Sequence, residues 1–112
     1  MGGKSSRVKG HSYERKLVKK FREMGWDKCV TSRSESKRTD DAGVDLMYTQ
    51  PLNIQAKAQE NTLNTHSILQ EMPDDSNYNI IFHKRNRIGE TVTMSAKDFY
   101  EIIKMLKSEN II

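Results

Sequence analysis

The chain has 112 residues, a length that supports one hydrophobic core and excludes a large multidomain enzyme. Its charged fraction of 30% and mean hydropathy of −0.80 are typical of a soluble protein. No apolar run approaches the ~20 residues that a membrane span needs. The single cysteine, Cys29, excludes an internal disulfide and a multi-cysteine zinc site. We therefore expect one cytoplasmic domain without a membrane segment.

Positive charge is concentrated in the first third of the chain. The net charge is +4, but residues 1–38 contain twelve Lys and Arg residues against four acidic residues. Such an asymmetry is typical of a surface that neutralises the phosphates of a nucleic acid. A solvated helix face with a disordered basic tail would give the same asymmetry, so charge alone leaves both interpretations open.

The first predicted element is an amphipathic helix from His11 to Met24, ended by Gly25. Residues 1–10 contain Gly, Ser and basic residues without an apolar stretch, and they are interpreted as a flexible basic leader before a single domain at 11–112. Glu14 falls beside the apolar stripe of this helix. The stripe consists of Tyr13, Leu17, Phe21 and Met24, with Val18 beside it.

Short strands and turns dominate the rest of the chain. Residues 28–33 are predicted to form a strand, and 34–42 a polar loop. Residues 43–49 and 53–59 are expected to form a hairpin around a turn at 50–53. A short helix capped by Thr62, a second hairpin over 78–95 and a last helix capped by Ser95 complete an α-β-β-β-α-β-β-α order. This order predicts an α/β fold with a mixed central β-sheet flanked by helices.

Alternation along the first predicted hairpin brings three polar side chains to one face. Gln55 and Lys57 share a face of their strand, and Asp45 has the matching parity on the partner strand. Carboxylate and amide oxygens suit a hard cation such as Mg²⁺. A lysine beside that cation could orient the attacking water and offset charge in a phosphoryl transition state. The three residues are therefore a candidate catalytic site.

The pattern of Val44-Asp45 followed by Gln55-Ala56-Lys57 resembles the PD-(D/E)XK nuclease superfamily. The segment GHSYERKLVKKFREMGW is similar to the opening helix of the archaeal-type Holliday junction resolvases, Ser32-Arg33-Ser34 to their serine loop, and SAKDFYEII to their closing helix. Where the resolvases have the second acid of the motif, this chain has Gln55. Together with the segment DAGVDL, this replacement also resembles the catalytic segment of Mrr-type restriction nucleases. The resemblance implies a restriction-endonuclease-like core and a further metal-associated acid at Glu14.

The resemblance further implies a metal-dependent DNA endonuclease that cuts four-way (Holliday) junctions by paired nicks. Asp45, Gln55 and Glu14 would hold Mg²⁺, or Mn²⁺ in its place, and Lys57 would assist the water. Paired nicks need two sites, so a homodimer is expected. The resemblance also implies that the protein acts in the cytoplasm of a prokaryotic cell, or, if a phage encodes it, in the cytoplasm of the host cell. The predicted DNA contacts are Lys9, Arg15, Arg33, Ser34, Lys37 and Arg38.

Two alternatives stay open at this point. The first is an Mrr-like or other structure-selective nuclease that cuts linear or flapped DNA. The second is a catalytically inactive DNA-binding module that keeps the basic surface. Asp40 and Asp41 are interpreted as solvated loop acids and are not assigned to the site.

Overall fold

The computed structural model describes residues 2–112 and contains five helices and five strands in that range. The order is α1 (Gly2–Glu23), β1 (Val30–Thr31), α2 (Ser32–Glu35), α3 (Lys37–Asp41), β2 (Leu46–Met47), β3 (Leu52–Ala58), α4 (Thr65–Glu71), β4 (Tyr78–Arg85), β5 (Gly89–Thr93) and α5 (Ala96–Ser108). Helices and strands are interleaved, so the predicted α/β class is confirmed.

The central sheet is mixed, as the sequence predicts. Its three strands lie in the order β3-β4-β5; β3 and β4 are parallel, and β4 and β5 form the predicted antiparallel hairpin. The predicted hairpin between β2 and β3 is wrong in its pairing, because β2 pairs antiparallel with β1 in a separate two-stranded sheet. One backbone hydrogen bond, from Asp45 N to Ile54 O at 2.7 Å, still ties the start of this segment to β3.

Helix α1 covers one face of the central sheet. Tyr13, Leu17 and Phe21 are each at most 3% exposed, and they pack with Ile54 and Ile80 from the sheet. Full burial of an aliphatic side chain contributes about 1.5–3 kcal/mol, so this layer holds the fold together. The predicted stripe is correct except at its end, where Met24 is exposed. Gly25, with φ of 119°, follows the helix as predicted.

Several predicted boundaries differ from the structure. Helix α1 begins at Gly2, so residues 2–10 continue the predicted helix instead of preceding it; Met1 lies outside the described residues. The predicted strand over 28–33 is confined to Val30–Thr31, because α2 occupies its end. The predicted polar loop contains the rest of α2 and all of α3, which the Ser36 side chain caps by accepting a hydrogen bond from Thr39 N. Helix α4 is capped by Asn64 and not by Thr62. The predicted Ser95 cap of α5 is confirmed.

Candidate functional site

Successive side chains of β3 point to opposite faces, one packed in the core and the other at the candidate site. Ile54 is fully buried, and Ala56 and Ala58 pack against the core formed with α1. Gln55 and Lys57 alternate with them and are half-buried on the opposite face. The predicted sharing of one face by Gln55 and Lys57 therefore holds in the structure.

Asp45 is held against β3 by two backbone contacts. Its Oδ2 accepts a hydrogen bond from Ala56 N at 2.7 Å, while its own backbone N donates to Ile54 O at 2.7 Å. The carboxylate is thus fixed beside the strand that carries Gln55 and Lys57, even though β2 and β3 form no ladder. A fixed carboxylate loses little further conformational freedom when it binds a ligand.

The surroundings of Asp45 disfavour its charge. Burial, together with the nearby carboxylates of Glu14 and Asp40, raises the pKa of this carboxyl to about 6. The Ala56 amide and the Lys57 ammonium act in the opposite direction. Glu14, Asp40 and Lys57 therefore all lie within electrostatic range of Asp45, and the negative charge of the cluster is incompletely compensated.

Glu14 reaches this cluster from α1, and it has a partner that the sequence did not predict. It is 9% exposed, and its Oε1 lies 3.0 Å from Nε of Arg33, which follows β1 on the short helix α2. A carboxylate this deeply buried needs a compensating charge, and Arg33 supplies it. Arg33 was predicted to contact phosphate; in the structure it neutralises Glu14.

Gln55 lies against Gly43, whose φ of 82° is in the left-handed region. A Cβ added at Gly43 would stand 3.5 Å from Gln55 Oε1. Within residues 2–112, the side chains of Gln55 and Lys57 make no hydrogen bond or ion pair. An amide oxygen and an ammonium group are thus free to bind a ligand beside Asp45.

The oxygen donors of the site fit a hard divalent cation, but they supply little negative charge to it. Asp45 and Glu14 offer carboxylates and Gln55 an amide oxygen, which are the ligand types that Mg²⁺ prefers. The like charges that raise the pKa of Asp45 would be relieved by a cation. In the described part of the chain, however, no three His, Cys, Asp or Glu side chains form a group that could hold a metal. Two carboxylates at most would share the ion.

Asp40 and Ser32 belong to the surroundings of the site, although the sequence assigns Ser32 only to a serine loop and indicates a solvated loop acid at Asp40. Ser32 is fully buried, and its hydroxyl donates to Val44 O at 2.5 Å, with Asp40 Oδ1 3.3 Å from the same hydroxyl as an alternative acceptor. Either bond braces the chain just before Asp45. The sequence signal for Asp40 was its place in the DDAGVD run that ends at Asp45. The neighbouring Asp41 does not take part in the site, because it is exposed and pairs with Lys37 at 3.0 Å.

Two of the six predicted DNA contacts share a groove. Arg15 and Ser34 line it together with Lys19 and Arg22, in a space of about 560 Å³ between α1 and β1. The other four residues are not part of the lining of this groove. Lys9 lines a second cleft, Arg33 pairs with Glu14, Lys37 pairs with Asp41, and Arg38 is exposed.

Comparison with known proteins does not assign the chain to a family. No family model, no curated protein and no solved structure matches it. Among the helices of residues 2–112, none is long and apolar enough to cross a membrane. The predictions of Mg²⁺, DNA and a homodimer stay predictions, and they rest on the residues of the site.

Proposed function

We propose that the chain is a metal-dependent DNA endonuclease with a restriction-endonuclease-like core, acting on four-way junctions as a homodimer. The observation that carries the proposal is the contact of Asp45 with the backbone of β3, beside two side chains free to bind a ligand. An acid, an amide oxygen and a lysine converge at one edge of a mixed sheet. Their chemistry suits phosphodiester hydrolysis.

Each residue has a separate role in this proposal. Asp45, Gln55 and Glu14 would hold Mg²⁺, which supplies positive charge to a phosphoryl group in its transition state. Lys57, half-buried and without an acidic partner in the described residues, would orient the attacking water and donate a hydrogen bond to the developing oxyanion. The groove lined by Arg15 and Ser34 would receive backbone phosphates.

Arg33 would link DNA binding to metal binding. Its guanidinium forms an ion pair with the Glu14 carboxylate at 3.0 Å. Because the Arg33 side chain is about one-third exposed, an incoming phosphate can compete with Glu14 for the guanidinium. Release of Glu14 would then add a carboxylate to the cation site. Metal and DNA would each strengthen the binding of the other by the same factor.

The test is Mg²⁺-dependent cleavage of labelled four-way junction, flap, nicked and linear DNA. Asp45→Asn and Lys57→Ala should remove cleavage, while the matched variant Lys104→Ala, on the exposed side of α5, should cleave as the wild type does. Selective cutting of the junction supports a resolvase. Equal cutting of linear duplex supports an Mrr-like nuclease, an assignment that Gln55 in place of an acid also favours.

A second candidate is an inactive DNA-binding module. The Arg33–Glu14 ion pair and the neutral Gln55 favour it, because both reduce the negative charge available to a metal. Salt-sensitive DNA binding without cleavage of any substrate, in Mg²⁺ or Mn²⁺, would support this candidate against the nuclease.

A further inference from the structure

A second concave site lies on the other face of β3. It is a cleft of about 230 Å³ between the N-terminal half of α1 and the ends of β3 and β4. Lys9, Tyr13 and Lys16 line it from α1, and Ala58 and Lys84 from the strands. Tyr13 precedes Glu14 and Ala58 follows Lys57, so the cleft neighbours the candidate catalytic site along both elements.

The inner wall of the cleft contains a polar atom that the fold leaves unsatisfied. Tyr13 is 2% exposed, and among the described residues its hydroxyl is buried without a hydrogen-bond partner. Burial raises the pKa of Tyr13, and the nearby Glu90 carboxylate raises it further, although that carboxylate forms its ion pair with Lys16 and accepts no hydrogen bond from the tyrosine. A buried hydroxyl without a partner is unfavourable, so an acceptor that enters the cleft and bonds to it would be stabilised.

Positive charge in the cleft exceeds what its acids neutralise. Glu90 is engaged by Lys16, with 3.3 Å between Nζ and Oε2, and Glu60 accepts a hydrogen bond from Asn86 N at 2.8 Å. Lys84 stands over the Tyr13 ring, with its Nζ 5.9 Å from the centroid. Neither Lys84 nor Lys9 forms an ion pair within residues 2–112. Lys9, Lys16 and Lys84 outnumber the carboxylates of Glu60 and Glu90, so the cleft keeps a net positive charge and two of its ammonium groups have no ion-pair partner in the described residues.

We propose that this cleft binds the terminal phosphate of a nucleotide, a phosphomonoester held by Lys84, Lys9 and the Tyr13 hydroxyl. A monoester carries about −1.5 to −2 charge at neutral pH, which matches two unpaired lysines better than the single charge of an internal diester. The volume lies below the roughly 300 Å³ of small-molecule sites, so the cleft encloses the phosphate and leaves sugar and base outside.

Two sources share this chemistry, a free mononucleotide and the 5′ end of a DNA strand. The inference does not depend on the proposed cleavage, because none of its three donors belongs to the set that would hold the metal. If both are correct, a strand anchored by its end lies beside the catalytic site, and DNA with a 5′-phosphate is the preferred substrate.

The experiment measures binding in EDTA, which prevents cleavage. Fluorescence anisotropy compares a labelled oligonucleotide bearing a 5′-phosphate with the same oligonucleotide bearing a 5′-hydroxyl. Calorimetry compares deoxyadenosine 5′-monophosphate with deoxyadenosine, and inorganic phosphate serves as competitor. We expect at least about fivefold tighter binding of the phosphorylated member of one pair, about 1 kcal/mol.

Variants identify the cleft as the origin of that preference. Tyr13→Phe keeps the ring in the core and removes only the hydroxyl, and Lys84→Met removes the charge; each should reduce the preference severalfold. The control Lys104→Met changes an exposed lysine on α5 and should keep it. Thermal melting confirms that all three variants are folded.

The outcomes separate the sources and decide the proposal. Preference in the oligonucleotide pair identifies a DNA end, and preference in the nucleoside pair alone identifies a free nucleotide. Equal binding within both pairs overturns the proposal, as does a preference that survives in both Tyr13→Phe and Lys84→Met. Loss of cleavage in Asp45→Asn bears on the proposed nuclease alone, so the two proposals can fail separately.

Discussion

The two ends of the polar face of β3 differ in how their side chains are satisfied. Asn53, 7% exposed, donates from Nδ2 to Asn79 Oδ1 at 2.8 Å and to Asp75 Oδ1 at 3.1 Å. Asn79 in turn donates to Pro73 O at 2.8 Å. Gln55 and Lys57, two and four residues farther along, are more exposed and have no such partners in the described residues. The first end is structural, and the second end is available for a ligand.

The largest expected effect is on cleavage, at the unpartnered end. Lys57→Ala should reduce the single-turnover rate on a four-way junction at least about 100-fold, because it removes a proton-handling group at the reacting phosphate. Junction affinity should fall by less than about tenfold, since one of several phosphate contacts is lost. A parallel loss of affinity and rate would instead make Lys57 a DNA-docking residue.

The satisfied end should respond in stability and not in activity. Asn53→Ala leaves Asn79 Oδ1 without this donor and Asp75 with only the Asn77 amide, and it should lower the free energy of unfolding by about 1–3 kcal/mol in urea titrations. The matched variant Gln55→Ala, on the same face, should change it by no more than about 0.5 kcal/mol. Equal destabilisation by the two variants would remove the distinction between the ends.

A smaller effect follows from the charge of Asp45. Because the pKa of this carboxyl is raised to about 6 in the folded protein, from 3.8, wild-type stability should decrease as pH rises from about 4 to 6. Asp45→Asn removes this penalty. Since Asp45 is only partly buried, we expect the variant to be about 1–2 kcal/mol more stable at pH 7, not the larger value that the full shift implies.

Comparing the free energies of unfolding of wild type and Asp45→Asn at two pH values provides the control. At about pH 3 the carboxyl is mostly protonated in both the folded and the unfolded chain, and the difference between variant and wild type should be small. Urea titrations at about pH 3 and pH 7 measure it. A variant that is less stable at pH 7 would show that the Asp45 carboxylate is stabilising in its ionised form.

The smallest expected effect concerns Gln55 and the metal. Gln55→Glu adds a carboxylate next to Asp45, and it should tighten Mn²⁺ binding to the DNA-free protein about fivefold, or about 1 kcal/mol. Calorimetry without DNA measures this affinity. Gln55→Ala provides the reverse change, and unchanged affinity in both variants would exclude Gln55 as a ligand.

The sequence predicted what depends on local periodicity. The buried stripe of α1, the Ser95 cap and the alternation of Ile54 with Gln55 follow from residues close together in the chain. The start of α1 was misplaced because Gly and Ser have low helix propensity, although the structure continues the helix through them.

Local sequence patterns did not predict which strands pair with each other when those strands are far apart in the chain. Strand β4 pairs parallel with β3 after a connection that contains α4, and β2 pairs with β1 and not with the strand that follows it. The same limit applied to the site. Arg33 meets Glu14 across 19 positions, and nothing in either local sequence indicates that the two belong together.

The separation of the site residues along the chain also bears on when the site forms during folding. Asp45 and Ala56 are joined across 11 positions, whereas Glu14 comes from a helix that docks on β3 after a much longer loop is closed. Closing longer loops costs more entropy, and contacts of high sequence separation form slowly. The Asp45 segment can therefore reach its arrangement before α1 docks, and the second acid of the site, Glu14, arrives last. Premature metal binding by the nascent chain would then involve one carboxylate and be weak.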